Sequence, residues 1–388
     1  MRTYVFPGQG SQAKGMGESL FGAFPDLVAK ADTILGYSIQ SLCLDNPEGK
    51  LRFTQYTQPA LYVVNALTYY MRLQEDNRKP DFLAGHSLGE YNALLAAGAF
   101  EFETGLTLVK KRGELMSRAS GGAMAAVVKL TEDRIRAILS ENGLTAIDIA
   151  NLNTATQIVI SGYKEDIDQA KPYFERAGAD YIPLNVSAAF HSRYMQEAKE
   201  EFEQFLKGFV YSELAVPVIS NVTARPYKSA EIAVNLAEQL RSSVRWSESI
   251  RYLLQQGEMS FEELGPGHVL TNIIARIKSE TPPSKLADER ASAAAGAGAV
   301  RSDLAAKEAE PEGRIDFKRK IELTYQQVAD WNKRYPVGSK VYSQGYGELI
   351  TRTQAMVLFG HRAAVYVENY KGYFALDELS PVEALNPS

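Results

Sequence analysis

"DFLAGHSLGEYNALLAAGAF" runs from Asp81 to Phe100. A short apolar run of strand type ends at Gly85-His86-Ser87-Leu88-Gly89, and a helix-like run follows at once. Strand, tight turn and helix in that order can raise a serine as a nucleophile. Flanking glycines suit the turn, because neighbouring backbone leaves no room for Cβ atoms. The start of the helix then points backbone N–H groups to where an oxyanion would form. Ser87 is therefore the candidate nucleophile, and the stretch predicts an α/β chain.

Outward from this turn, strands and helices alternate across residues 1–278, the pattern of a mainly parallel sheet. "RTYVFPG" reads as a strand. "PALYVVNALTYYMRLQ" reads as a helix with Pro59 in its first turn and Thr57 as its cap. Residues 122–187 form a smaller unit of strand–helix–strand–strand–helix–strand order, the ferredoxin-like arrangement. The fold expected for 1–278 is an α/β-hydrolase-like core (1–121 and 188–278) with this subdomain inserted. A ligand cleft is expected between the two.

Composition shifts after residue 278. Residues 279–316 are rich in Ala, Gly, Pro and charge and read as a flexible linker. From Phe317 a helix and several short strands split by Gly turns suggest a small SH3-like β-barrel over 317–388.

The whole chain has 388 residues, a net charge of -5 and one cysteine, Cys43. The charge argues against a nucleic-acid partner, which calls for a basic stripe. No apolar run reaches the roughly 18–20 residues of a membrane helix. The N-terminus has no apolar signal core. One cysteine permits no internal disulfide, and a cytoplasmic location is expected. Four scattered histidines and a lone cysteine give no metal site.

A serine nucleophile needs a base. His86 is adjacent in sequence, and its side chain should leave the turn in another direction. His191, in "VSAAFHSRYM", lies between a predicted strand and a predicted helix. His268 follows Gly-Pro-Gly at another helix start, and His361 sits in the C-terminal module. The residues alone leave His191 and His268 open, with a slight preference for His191.

In "GLTLVKKRGELMSR" the helical period places Arg112 on the apolar stripe with Leu108, Val109, Leu115 and Met116, while Lys110 and Lys111 point elsewhere. An unpaired buried charge costs several kcal/mol, so Arg112 needs a partner. That partner is either an internal Asp or Glu or a substrate carboxylate gripped by both arms of the guanidinium.

These motifs resemble the malonyl-CoA:acyl-carrier-protein transacylases of fatty-acid synthesis and the acyltransferases of polyketide synthases. The resemblance rests on "FPGQGSQ" (Phe6–Gln12), "TQPAL" (Thr57–Leu61), "GHSLGE" (Gly85–Glu90), "RGELM" (Arg112–Met116), "ANLN" with "VISG" (Ala150–Gly162), "AFHS" (Ala189–Ser192), "VRW" (Val244–Trp246) and "GPGHVLT" (Gly265–Thr271). "VSAAFHSRYM" looks most like the discrete acyltransferases that serve trans-acyltransferase polyketide synthases.

The resemblance implies the following roles. Ser87 is acylated and His191, not His268, is the base, oriented by main-chain oxygen at Gln239 in a dyad. Leu88 N–H and an amide near Gln9 form the oxyanion hole. Arg112 clamps the malonyl carboxylate, and Phe190 favours malonyl over bulkier groups. The expected partners are malonyl-CoA and an acyl carrier protein. Coenzyme A thioester and carrier phosphopantetheine are substrates, and no resident cofactor is implied. An editing hydrolase on the same fold is the alternative. Nothing in the family core accounts for 317–388, for which docking to a synthase is expected. Lys110, Lys111, Arg276 and Lys278 are candidates for contact with an acidic carrier.

Overall fold

A computed structural model describes residues 1–76, 78–186, 188–281, 317–343, 346–358, 362–368, 373–376 and 379–381. It divides into two compact units, Met1–Ala305 and Ala306–Ser388. The linker expected over 279–316 lies outside the described residues from 282 on; the helix Val269–Glu280 carries on through residues 279 and 280 and ends at Thr281.

The described residues of the first unit form two sheets. The larger has four parallel strands, β1 (Arg2–Phe6), β2 (Phe82–Gly85), β7 (Val218–Ile219) and β8 (Ser260–Glu263), in the order β7-β2-β1-β8. Thr3, Tyr4, Val5 and Phe6 are all fully buried, as a strand covered on both faces requires. Val5, Ala84, Ile219, Trp246, Ile250, Leu253, Leu270 and Ile274 make the core on one side. On the other lies the helix Thr54–Glu75, which buries 14 of its residues.

That helix corrects an expectation. It begins at Thr54, and Pro59 sits inside it. Thr57 does not cap it: its hydroxyl donates to Leu51 O at 2.7 Å and to Phe53 O at 3.0 Å. Pro59 is tolerated because it falls so near the start that little of the backbone ladder is lost.

The second sheet is antiparallel, with the order β4-β5-β3-β6, from β3 (Gly122–Val128), β4 (Asp148–Leu152), β5 (Gln157–Tyr163) and β6 (Asp180–Pro183). The helices Glu132–Glu141 and Lys164–Arg176 cover one face with Ile135, Ile138, Leu139, Ile167, Ala170 and Phe174. β4 is tied to Val244, which packs in the core against the parallel sheet: Val244 N donates to Ala150 O at 2.8 Å and Leu152 N to Val244 O at 2.9 Å.

The second unit has the helix Phe317–Arg334 and two three-stranded antiparallel sheets. One contains β9 (Lys340–Ser343), β10 (Gly347–Ile350) and β14 (Ser380–Pro381). The other contains β11 (Met356–Leu358), β12 (Arg362–Tyr366) and β13 (Tyr373–Ala375). Val341, Leu349, Val365, Val367, Leu376 and Leu379 form its core, with Val328 and Trp331 of the helix against them. His361 lies outside the described residues.

Candidate active site

The turn after β2 is built by exclusion. A Cβ on Gly85 would lie 1.9 Å from Gly89 C, and one on Gly89 would lie 2.0 Å from Phe6 O. No side chain fits either place, so β1, β2 and the helix Gly89–Ala96 meet with backbone nearly touching backbone. Ser87 sits between them at φ +50°, in the left-handed region that non-glycine residues rarely take. Asn221, just after β7, holds that conformation. Its Oδ1 accepts from Ser87 N at 2.7 Å, and its Nδ2 donates to Gly85 O at 2.7 Å.

Ser87 is partly open, whereas its neighbours are buried: His191 is 5% exposed and Arg112 1%. Ser87 Oγ lies 2.8 Å from His191 Nε2. His191 Nδ1 lies 2.8 Å from Gln239 O, and a carbonyl can only accept. Nδ1 therefore carries the hydrogen, and Nε2 is left to accept from the serine. Burial, followed by the charge of Arg112, pushes the His191 pKa down to about 3, so the ring is neutral at ordinary pH. His191 also has a positive φ, +56°.

Arg112 lies on the helix Phe102–Arg118 among buried Leu108, Val109, Leu115 and Met116. Its Nη1 donates to Gln58 Oε1 at 2.7 Å. Its Nη2 donates to Gln239 Oε1 at 2.9 Å and to Ser87 Oγ at 3.0 Å. The face of Tyr91 lies 5.6 Å from the guanidinium carbon. Nε has no hydrogen-bond partner among the described residues, and none of their ion pairs includes Arg112. Of the two partners expected for Arg112, an internal carboxylate in direct contact is not found among the described residues. Burial works against its charge, opposed in turn by Tyr91 and Glu90.

Gln239 joins all three groups. Its carbonyl accepts from His191, its side-chain oxygen accepts from Arg112, and its Nε2 donates to Ser87 O at 2.9 Å and to Glu90 Oε2. Glu90 is fully buried. It also accepts from Asn221 N at 2.8 Å and from the Tyr227 hydroxyl at 2.7 Å. Burial pushes its pKa up to about 7 against the pull of these donors and of Arg112.

The loop after β1 closes the other side. A Cβ on Gly8 would lie 2.4 Å from His86 O and 3.6 Å from Leu88 N. Gly8, the residue before Gln9, thus packs against the His86–Leu88 backbone. Among the described residues neither Leu88 N–H nor Gln9 N–H has an acceptor, and the Gln9 side chain reaches Thr54 Oγ1 at 3.4 Å. Phe190 is buried beside His191.

Other candidates stand apart. His86 turns away from Ser87, with Nε2 2.9 Å from Asn153 Oδ1 and its ring 5.5 Å from that of Trp246. His268 is exposed at the start of the helix Val269–Glu280. The four basic residues considered for carrier contact are engaged locally. Lys110 donates to Ile34 O, Lys111 pairs with Glu201, Arg276 with Glu280, and Lys278 donates to Met259 O. Among the described residues no helix is long and apolar enough to cross a membrane. Nor does any group of three or more His, Cys, Asp or Glu there suit a metal ion.

Gln58, Glu90 and Asn221 escaped the sequence reading. Glu90 carried a usable signal, a charge in an otherwise apolar run three residues after Ser87. Asn221 reads only as a turn residue.

The acyl transferase domain family matches residues 3–313. The polyketide biosynthesis malonyl CoA-acyl carrier protein transacylase BaeC of Bacillus velezensis is 60% identical over 286 residues, 73% of this chain and 99% of that protein. The polyketide biosynthesis protein PksE of Bacillus subtilis is 53% identical over 332 residues, 85% of this chain but 43% of PksE. Among solved structures, a malonyl CoA-acyl carrier protein transacylase from Burkholderia pseudomallei is 53% identical with a TM-score of 0.71, covering 73% of this chain and 99% of that one. The complex PlMCAT:AntF, a type II PKS acyl-carrier protein with its malonyl-transacylase, matches at 34% identity and TM-score 0.69, covering 72% of this chain and 93% of that one. The chain belongs to the acyl transferase family, in the branch of the malonyl-CoA:acyl-carrier-protein transacylases.

Proposed function

We propose that this chain carries a malonyl group from malonyl-CoA to the phosphopantetheine thiol of an acyl carrier protein, through an ester on Ser87, in polyketide biosynthesis. One observation carries the proposal. A buried guanidinium touches the nucleophile's hydroxyl and, among the described residues, is held by amide and hydroxyl oxygens and by no carboxylate. Such a cation is prepared for an acyl group that brings its own carboxylate.

In this account His191 Nε2 takes the Ser87 proton as Oγ attacks the thioester carbonyl. The Leu88 and Gln9 amides hold the oxyanion. As the tetrahedral intermediate collapses, His191 returns the proton to the departing coenzyme A thiol. The carrier thiol then attacks the acyl-serine by the same route in reverse. Gln239 O keeps His191 in the tautomer that both halves need. Arg112 binds the malonyl carboxylate and Phe190 bounds the acyl pocket. No resident cofactor or metal takes part. An editing hydrolase has no use for a guanidinium at the acyl group. The test is transfer from labelled malonyl-CoA to holo carrier protein, with apo carrier as control. Label that goes to water in place of the holo carrier would favour the hydrolase.

For the organisation of the chain, the proposal divides it into an acyltransferase domain (1–278, with 122–187 as a ferredoxin-like subdomain in an α/β-hydrolase-like core), a linker (279–316) and a C-terminal module (317–388). The module is proposed as an SH3-like docking element for a synthase. Its paired antiparallel sheets and separate core support this. A cytoplasmic location fits a single, buried, free cysteine.

A further inference from the structure

Behind the reacting atoms lies a buried acid that the steps above do not use. Glu90 is the fourth residue of the sequence Ser87-Leu88-Gly89-Glu90, and the first turn of the helix folds its carboxyl back beneath Ser87. Two of the residues it contacts also hold the site. Asn221, whose N–H binds Oε1, clamps the Ser87 backbone through its side chain. Gln239, whose amide binds Oε2, accepts from Arg112 with the other end of the same carboxamide. Tyr227 supplies the third donor. One carboxamide thus separates an acid from a guanidinium that lacks any closer anion among the described residues.

We propose that Glu90 is the counter-charge of Arg112 while the acyl pocket is empty, and that it takes up a proton when a substrate carboxylate occupies the guanidinium. This rests on the role proposed for Arg112. The physical reason is that a buried cation stabilises one nearby anion well and two poorly. When the incoming carboxylate contacts Arg112 directly, it cancels the field that keeps Glu90 ionised and adds repulsion of its own. Neutralising Glu90 relieves both effects, with the proton drawn from solvent. The Gln239 amide and the Asn221 N–H can still donate to the carbonyl oxygen of the protonated acid. The cluster therefore keeps its geometry while its charge changes.

The groups facing Glu90 are Asn221, Tyr227 and Gln239, with Tyr91 on its own helix and Arg112 across from it. Tyr91 and Tyr227 are both raised by burial and stay neutral. His191 is neutral above about 3. His86 is lowered by burial. Glu90, at about 7, is the group of this cluster that changes state near neutrality.

The test is calorimetric titration of the wild-type chain in buffers of different ionisation enthalpy, which counts protons taken up per ligand. The ligands are malonyl-CoA and acetyl-CoA analogues with NH in place of the thioester sulfur, amides from which no acyl group leaves and whose malonyl form keeps its carboxylate. Their coenzyme portions are identical, and the difference isolates the carboxylate. The malonyl analogue should take up about half a proton more than the acetyl analogue at pH 7, as expected for an acid half ionised there. The excess should grow toward pH 8 and vanish in Glu90→Gln. Tyr227→Phe, which removes a donor to the anion, leaves the acid more protonated beforehand and should shrink the excess at pH 7. Tighter binding of the malonyl analogue with no proton excess overturns the role of Glu90 and leaves Arg112 untouched. Equal binding of the two analogues sinks the role of Arg112 and this inference with it. An excess that persists in Glu90→Gln, or is unmoved by Tyr227→Phe where Glu90→Gln does not fold, assigns the proton elsewhere.

Discussion

Arg112 Nη2 lies 3.0 Å from Ser87 Oγ, the same oxygen that His191 Nε2 approaches to 2.8 Å. Cation and base share one hydroxyl. The guanidinium can thus hold the carboxylate end of a short acyl group while the serine attacks the other end.

Substrate choice follows from that contact. Arg112→Lys keeps the charge but loses the fork. Acylation by malonyl-CoA should fall roughly 10- to 100-fold, the worth of one or two charge-assisted hydrogen bonds. Acylation by acetyl-CoA should hold or rise. Quenched-flow mass spectrometry with both thioesters measures the ratio, and an equal loss for both would show that Arg112 is not a carboxylate clamp.

His191 sets the pH behaviour. A ring with its pKa pushed down to about 3 remains an acceptor across ordinary pH. The acid limb of kcat/KM for acylation should therefore lie well below 6.5, the usual histidine value. For folding the sign follows from the depressed pKa. The stabilising preference for neutral His191 is present above about 6.5 and is lost as pH falls toward 3. Glu90 has the opposite sign: its raised pKa favours the fold below about 4.5, and that gain is lost as pH rises through about 7. Urea midpoints across pH 4–8 should show Glu90→Gln improving relative to wild type as pH rises. A parallel pair of curves would contradict this.

Gln239→Ala removes a side chain but leaves the carbonyl that orients His191. Arg112 and Glu90 then each lose a buried partner, at a cost of about 2–3 kcal/mol. The expected result is a lower thermal midpoint together with weakened malonyl selectivity. Loss of stability with selectivity intact would place Gln239 outside the acyl pocket.

Gly89→Ala should be severe, because its Cβ would meet Phe6 O at 2.0 Å with backbone on both sides. Destabilisation above about 4 kcal/mol or failure to fold is expected. A soluble, wild-type-like variant would mean that β1 and the turn are farther apart than described.

Deletion of 317–388 should leave transfer to an isolated carrier protein unchanged and weaken association with the intact synthase. Pull-down and transfer assays on the same preparation separate the two effects.

Much of this site was legible in the sequence because its signals are local. The glycines around Ser87 and the charge of Arg112 on an apolar stripe are visible within a few residues. The strand and helix order of residues 122–183 is visible in the same way, since each element carries its own period. What escaped is tertiary. Asn221 reaches Ser87 across 134 positions, and the side chain of Gln239, expected only for its main-chain oxygen, reaches Arg112 across 127. Neither has a local signature. The choice between His191 and His268 could not be made from periodicity either, because both begin helical segments, and only the fold brings His191 to the serine. Pro59 misled the placement of a helix start because proline marks first turns on average, whereas here packing extends the helix five residues ahead of it.

The central claim is that Ser87 carries a malonyl group between two thiols. Intact-mass analysis after incubation with malonyl-CoA tests it most directly. The account predicts that the wild type gains one malonyl group, that Ser87→Ala gains none, and that adding holo carrier protein moves the group to the carrier thiol. A malonyl adduct that still forms on Ser87→Ala, or one that the carrier thiol does not remove, would contradict it.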